Sequence, residues 1–299
     1  MRIKRNLFAG LFLILGLNIA SAQVKLSFNP EKGKKYEYQT EVIQNIKQNL
    51  MGQEIPMEMT TSMTCLMEIK DKTPQEIQVQ LTYQDLAYVV SGPMMKMEYD
   101  SKNPVENPSN IDQMLGKMFG EMLGKSFLAV IAPDGSVQSL TGMEAIGESM
   151  TKAIAGDGQM IAQLGAQMKQ QFNDDAKKNL FEQSFYFFPA NPVRAGNSWN
   201  IENAVNMNNF NVVSKSRYTM RSISRNIANI AIDTKIESAV DSEGEVSGTQ
   251  TGNMTVDART GIPVTSNLSA NIKSNIKSSS MDLLMIIESK SKTSTKKIE

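Results

Sequence analysis

The sequence predicts an α+β protein: a long-stranded, strongly curved antiparallel β-sheet, half-barrel-like, with helices packed on its apolar concave face. Three observations lead there. Segments near both ends of the chain alternate polar and apolar residues over runs of 13 positions, such as Met57–Ile69 and Val264–Ile276. Such alternation gives each strand one wet and one dry face, as in antiparallel sheet. The middle third changes to a helical period, with Met114, Met118 and Met122 at every fourth position. Turn residues then punctuate the strand blocks. A strand of 13 residues reaches on the order of 40 Å at about 3.4 Å per residue, and a sheet that long has to twist and curl.

Taken in chain order, Met1–Ala22 reads as a secretory signal. Arg2, Lys4 and Arg5 precede a mostly apolar stretch of 11 residues, Leu7–Leu17, too short for a membrane-spanning helix, and Ala20-Ser21-Ala22 supplies a small-x-small cleavage site. No cysteine follows that site, so an exported, periplasmic or secreted protein without a lipid anchor is expected. Removing those three of the 31 basic residues leaves 28 against 31 acidic ones, a balance that does not favour nucleic acid. No further segment is long and apolar enough to cross a membrane as a helix.

Residues 23–299 are expected to form one β-rich unit: a strand block over 34–100, a helical middle with a hairpin over 109–188, and a strand block over 198–295. In Met57–Ile69 the odd positions Met57, Met59, Met63, Cys65, Met67 and Ile69 form the dry face. In Glu76–Val90 the apolar parity switches after Tyr83, and a bulge near Gln84-Asp85 restores all seven apolar side chains to one face. Ser109 and Asp112 have capping-box spacing ahead of a helix over Ile111–Lys125. Along that helix Gly116, Gly120 and Gly124 form a bare stripe, which predicts close approach by a neighbouring element. Pro133-Asp134-Gly135 marks a hairpin between Phe127–Ile131 and Val137–Leu140. Further helices are expected over Thr141–Ala155 and Gln159–Phe185. Ala228–Val240 and Val264–Ile276 alternate as strands, with turns at Ser242-Glu243-Gly244 and Arg259-Thr260-Gly261. The last strand, Met281–Lys292, runs into alternating Ser and Lys, a composition suited to discouraging edge pairing.

Composition excludes much chemistry. There is no histidine, which removes Ser-His-Asp and Cys-His nucleophilic sites, most zinc sites and any imidazole switch. Cys65 is the single thiol, so no internal disulfide forms, and its place on a dry strand face predicts a buried, inert group. Ser149 and Lys152 have the Ser-x-x-Lys spacing of serine acyl-enzymes, but the companion Ser-Asp-Asn and Lys-Thr-Gly elements are missing, so a solvated helix face is expected there. No enzyme activity and no cofactor are expected.

Methionine is the compositional oddity, 21 in all. It suits an adaptable core, or a groove for an acyl chain. Thioethers at Met57-x-Met59 and Met95-x-Met97 also suit Cu(I). The reading adopted is a non-enzymatic envelope protein that holds a hydrophobic or lipid-like ligand between sheet and helices. Met57, Met59, Met63, Met67, Met114, Met118 and Met122 are its ligand-binding residues, and Gly116–Gly124 its moving part. The alternatives are a structural or interaction protein with a filled core, and soft-metal binding through Met-x-Met.

Several runs carry a family likeness. Lys35-Tyr36-Glu37-Tyr38, "FLAVIAPDGSVQSLTG" at Phe127–Gly142, "FFPANPVRAGNSW" at Phe187–Trp199 and "GNMTVDARTGIPV" at Gly252–Val264 resemble an uncharacterised domain-of-unknown-function family of exported Bacteroidota-type proteins. That resemblance implies export and fold and brings no assigned reaction. In architecture alone, long curled strands with helices on the concave side are similar to the half-barrels of periplasmic lipoprotein carriers.

Overall fold

In the computed structural model, residues 23–50, 52–93, 95–154, 178, 181–207, 210–239, 244–278 and 281–298 are described. Among them the strands are β1 (Lys35–Leu50), β2 (Gln53–Lys72), β3 (Ile77–Gly92), β4 (Met95–Asp100), β5 (Ser126–Ile131) and β6 (Val137–Thr141). After the middle of the chain come β7 (Ser198–Met207), β8 (Phe210–Ser224), β9 (Ile227–Ser238), β10 (Gly244–Asp257), β11 (Pro263–Ser278) and β12 (Met281–Lys297). The helices are α1 (Asn110–Gly120) and α2 (Met143–Ala153). The strands form one antiparallel sheet in the order β6-β5-β3-β2-β1-β12-β11-β10-β9-β8-β7, with β4 paired to the far half of β3. Its two ends do not pair, so the sheet is not closed.

The described architecture is therefore mainly β rather than α+β. The strands are longer than the sequence alternation indicated: β2 has 20 residues and β12 has 17. The helices are shorter. α1 stops at Gly120 and its cap, Glu121, after which the chain turns and reaches Gly124 at φ 76°. Most of the helix expected over 159–185 lies outside the described residues, as do Ser242 and Glu243 of one expected turn.

Local expectations hold in detail. The register of β2 and β3 shifts between Thr64, opposite Asp85, and Cys65, opposite Tyr83, so Gln84 is the bulged residue. Ile77, Val79, Leu81, Tyr83, Leu86 and Val90 are all buried as a result. The Ser109–Asp112 capping box is formed, and the Asp112 carboxylate also accepts from the Glu98 N–H at 2.8 Å, tying α1 to β4. Phe119 packs on Tyr88 and Tyr99, each at a centroid distance of 5.5 Å.

Two expectations are corrected. The Ser/Lys strand is no edge: β12 lies mid-sheet between β1 and β11. Its lysines at 290, 292 and 296 are exposed on the outer face, while Ser291, Thr293 and Thr295 face inward, so the composition reflects two differently solvated faces. The glycine stripe of α1 is not a docking surface either. A Cβ at Gly116 or Gly120 meets nothing within 4 Å. The helix instead buries Met114, Leu115 and Met118, on its other side. Gly116→Ala is thus expected to stabilise the protein by about 0.5–1 kcal/mol, the helix-propensity difference, measured as a higher urea midpoint at unchanged slope.

One short segment fastens the ends of the sheet. Val24 and Val193 exchange backbone hydrogen bonds of 2.8 and 2.9 Å just ahead of β7. Four residues on, the Phe28 N–H donates to Pro133 in the β5–β6 turn at 2.8 Å, and the Asn29 N–H to Thr260 in the β10–β11 turn at 2.7 Å. Leu26 and Phe28 are buried within this strap. It joins the β5–β6 edge to the β7 edge at one end of the curl.

Candidate ligand-binding cavity

The register of the strands sorts their side chains into two faces. On the outer face lie the charges, for instance Glu237 between Lys215 and Lys235, which hold its carboxyl down to about 2. Inward, the sheet presents rows that run across the strands. Gln44, Ser289, Ala270, Gln250, Thr234 and Ser216 are successive cross-strand neighbours from β1 to β8 and make a mostly polar row. Next to it, on one side, Val42, Ser291, Leu268, Gly252, Ile232 and Tyr218 align. On the other side come Ile46, Ile287, Ile272, Gly248 and Ile236. A hydrogen-bonding row is thus set between two rows rich in branched apolar side chains.

Part of this wall encloses a cavity of about 420 Å³. Its lining comes from eight strands, β1, β2 and β7 to β12, and from residues 183–187, which shows how strongly the sheet curls. The volume falls in the range of ordinary small-molecule sites. The apolar lining includes Met67, Met254, Ile232, Leu268, Phe185 and Phe187; hydroxyls come from Tyr38, Thr293, Ser216, Thr234 and Tyr218. Among the described residues, none that lines the cavity is charged. The polar groups are held by one another. Ser216 and Thr234, both buried, share a 2.8 Å hydrogen bond, and Tyr218 lies close to Ser216. Tyr38 lies close to Thr293 and Ser184.

Aromatic residues brace one flank. Phe187 lies against Phe188 and Tyr218, with centroids 4.2 and 6.3 Å away, and Phe185 meets Phe28 of the strap edge-on at 5.3 Å. Trp199 stacks on Tyr218 at 5.7 Å and donates its indole N–H to the Phe187 carbonyl at 2.7 Å. A second concavity of about 470 Å³ lies on the outer face and is lined by Glu41, Asp85, Lys102 and Lys292 among others. There Lys102 and Asp85 pair at 2.9 Å in a solvated setting, so the inner cavity is the better candidate site.

The methionines named from the sequence are distributed rather than gathered. Met67 is buried and lines the cavity. Met63 is half-buried against the core, and Met57 and Met59 are half-buried farther along β2. Met114, Met118 and Met122 are buried in the core beneath α1 and the turn after it, away from the cavity lining. The seven do not surround one cavity; the walls come chiefly from β8 to β12, whose lining residues are mostly Ser, Thr, Ile and Gln. Met59 and Met97 pair with Val90 from opposite sides, so β3 separates the two Met-x-Met segments. Among the described residues, no group of three or more His, Cys, Asp or Glu side chains is placed to hold a metal ion, and no helix is long and apolar enough to cross a membrane.

Other candidate groups are quiet. Burial pushes the Cys65 thiol up to about 12, far from a usable thiolate. The Ser149 hydroxyl donates to the Ala145 carbonyl at 3.1 Å, and the exposed Lys152 pairs with Glu148 at 3.7 Å, so the Ser-x-x-Lys pair is a helix face. Burial likewise raises the phenols of Tyr36, Tyr38, Tyr83 and Tyr218. These groups are neutral when protonated. Their contribution to stability is complete below the ordinary values of 9.0 for the thiol and 10.0 for the phenols, and is lost as pH rises through them toward the folded values. Without histidine, the urea midpoint is expected to stay level between about pH 6 and 8 and to fall steeply above about pH 10. A midpoint that sags between those lower values contradicts this assignment.

In fold the chain is similar to lipovitellin, in a structure described for its lipid–protein interactions, with a TM-score of 0.52 and 8% identity over 89% of this chain. It spans 25% of that longer chain. An outer membrane channel from Pseudomonas putida F1 aligns over 90% of this chain and 97% of its own, at 8% identity and a TM-score of only 0.23. None of the curated proteins matches the sequence. The family model that does match, over residues 74–263, runs from the start of β3 to the start of β11, and by it the chain belongs to DUF6263, a family of unknown function.

Proposed function

We propose that the protein is a non-enzymatic, exported envelope protein that holds a hydrophobic or lipid-like ligand in the concave cavity of its sheet. The observation that carries this reading is the cavity itself: about 420 Å³, walled by eight strands, with no charged side chain among its described lining residues, and braced by aromatic residues. Burial of acyl-type surface there contributes about 25 cal/mol per Å² removed from water. Met67 and Met254 give that wall unbranched, polarizable side chains that adapt to a variable chain shape. The fold shared with lipovitellin, a protein described for lipid–protein interactions, supports the same reading. So do the sequence features of an N-terminal secretory signal.

The test is mass spectrometry of organic extracts from mildly purified protein. Lipid is expected to accompany the wild-type chain and to be depleted in Leu268→Trp, whose larger side chain occupies the cavity. Clean extracts from the wild type contradict the reading, as does equal loading of the two proteins.

A further inference from the structure

Resting on that ligand-holding reading, we infer that the ligand is uncharged where it meets the wall: an acyl ester or alcohol of the monoacylglycerol class rather than a fatty-acid anion or a phosphate ester. The polar row is the key. Gln44, Ser289, Gln250, Thr234 and Ser216 cross the inner face in register, with apolar rows on both sides. Gln250, Thr234 and Ser216 line the cavity directly. A long ligand lying along the strands therefore places its chain on an apolar row and meets hydroxyl and amide groups partway along.

Those groups suit a neutral ester or hydroxyl, which exchanges its bonds to water for bonds to Ser, Thr and Gln. They do not suit an anion. A carboxylate or phosphate brought to this row loses its hydration, and among the described residues no Lys or Arg lines the cavity to compensate it. The cations stand on the opposite face of the same strands, at Lys215, Lys235, Lys273 and Lys290, all exposed. A cation turned inward is what would compensate a fatty-acid carboxylate, and the register sends these outward.

The experiment is displacement of Nile red, an uncharged fluorophore, from the full mature chain at neutral pH and below the micelle concentrations. 1-Monolauroylglycerol and laurate have the same acyl chain and differ in charge. Monolauroylglycerol is expected to displace the dye, with laurate needing about 10-fold or more higher concentration. Gln250→Lys, which adds a cation beside the row, is expected to narrow or reverse that gap. Laurate equal to or better than the glyceride on the wild type overturns the inference. So does a dye that binds and that neither lipid displaces. Failure of Nile red to bind at all is a different result and overturns the ligand-holding reading itself.

Discussion

Gly252→Ala is expected to destabilise the protein by about 3 kcal/mol, at the upper end of ordinary overpacking. A Cβ built at Gly252 falls 2.1 Å from the Asn267 carbonyl oxygen and 2.9 Å from the Leu268 Cα, and both obstacles are backbone of the adjacent strand. No rotamer change relieves them; β10 and β11 have to separate. Gly248 repeats the situation one cross-strand row apart from the polar row, with Asn271 O at 2.5 Å. Bare positions on the inner side of β10 let the two strands approach closely where the sheet curls, as glycine kinks do in curved sheets. Chemical denaturation measures the effect, and the contrast with Gly116 sharpens it. One and the same substitution is expected to lower stability in β10 and to raise it in α1. Equal small effects at both positions contradict the close approach.

Phe28→Ala is expected to cost about 3–5 kcal/mol, the range for a fully buried phenylalanine. Phe28 is 0% exposed and packs edge-on against Phe185, itself part of the cavity wall. Its backbone N–H fastens the strap to the β5–β6 turn. The substitution therefore empties the core where the two edges of the sheet are held together. Thermal unfolding checks the loss, and a change below about 1 kcal/mol shows that the strap is not part of the cooperative core.

Strands with one apolar and one charged face were legible in the sequence. Met57–Ile69, Ala228–Val240 and Val264–Ile276 announce their dry sides through alternation, and the parity switch at Tyr83 locates the bulge at Gln84. The Ser109–Asp112 spacing located the start of α1 to within a residue. What stayed hidden was the strand whose inward face is not apolar. In β10 the inward positions are Gly244, Val246, Gly248, Gln250, Gly252 and Met254, a pattern with no hydrophobic period. β12 presents Ser289, Ser291, Thr293 and Thr295 inward, which in sequence looks like a wet edge. These strands supply Gln250, Ser291, Thr293 and Thr295 to the cavity wall, so much of its polar lining was illegible in the sequence. Methionine composition pointed to an adaptable interior, and Met67 of the dry strand face lines the cavity. The pairing of β1 with β12, which joins the two strand blocks and makes the concavity, depends on contacts between residues at opposite ends of the chain.

Trp199, the single tryptophan, offers the most direct measurement on the central claim that ligand enters the concave cavity. Its ring stacks on Tyr218, which lines that cavity. Titration with a monoacylglycerol brominated on its acyl chain, a short-range quencher, is expected to lower Trp199 emission saturably, with recovery when the unbrominated lipid competes. Lipid that binds, as established by equilibrium dialysis, while Trp199 emission stays unchanged contradicts the account.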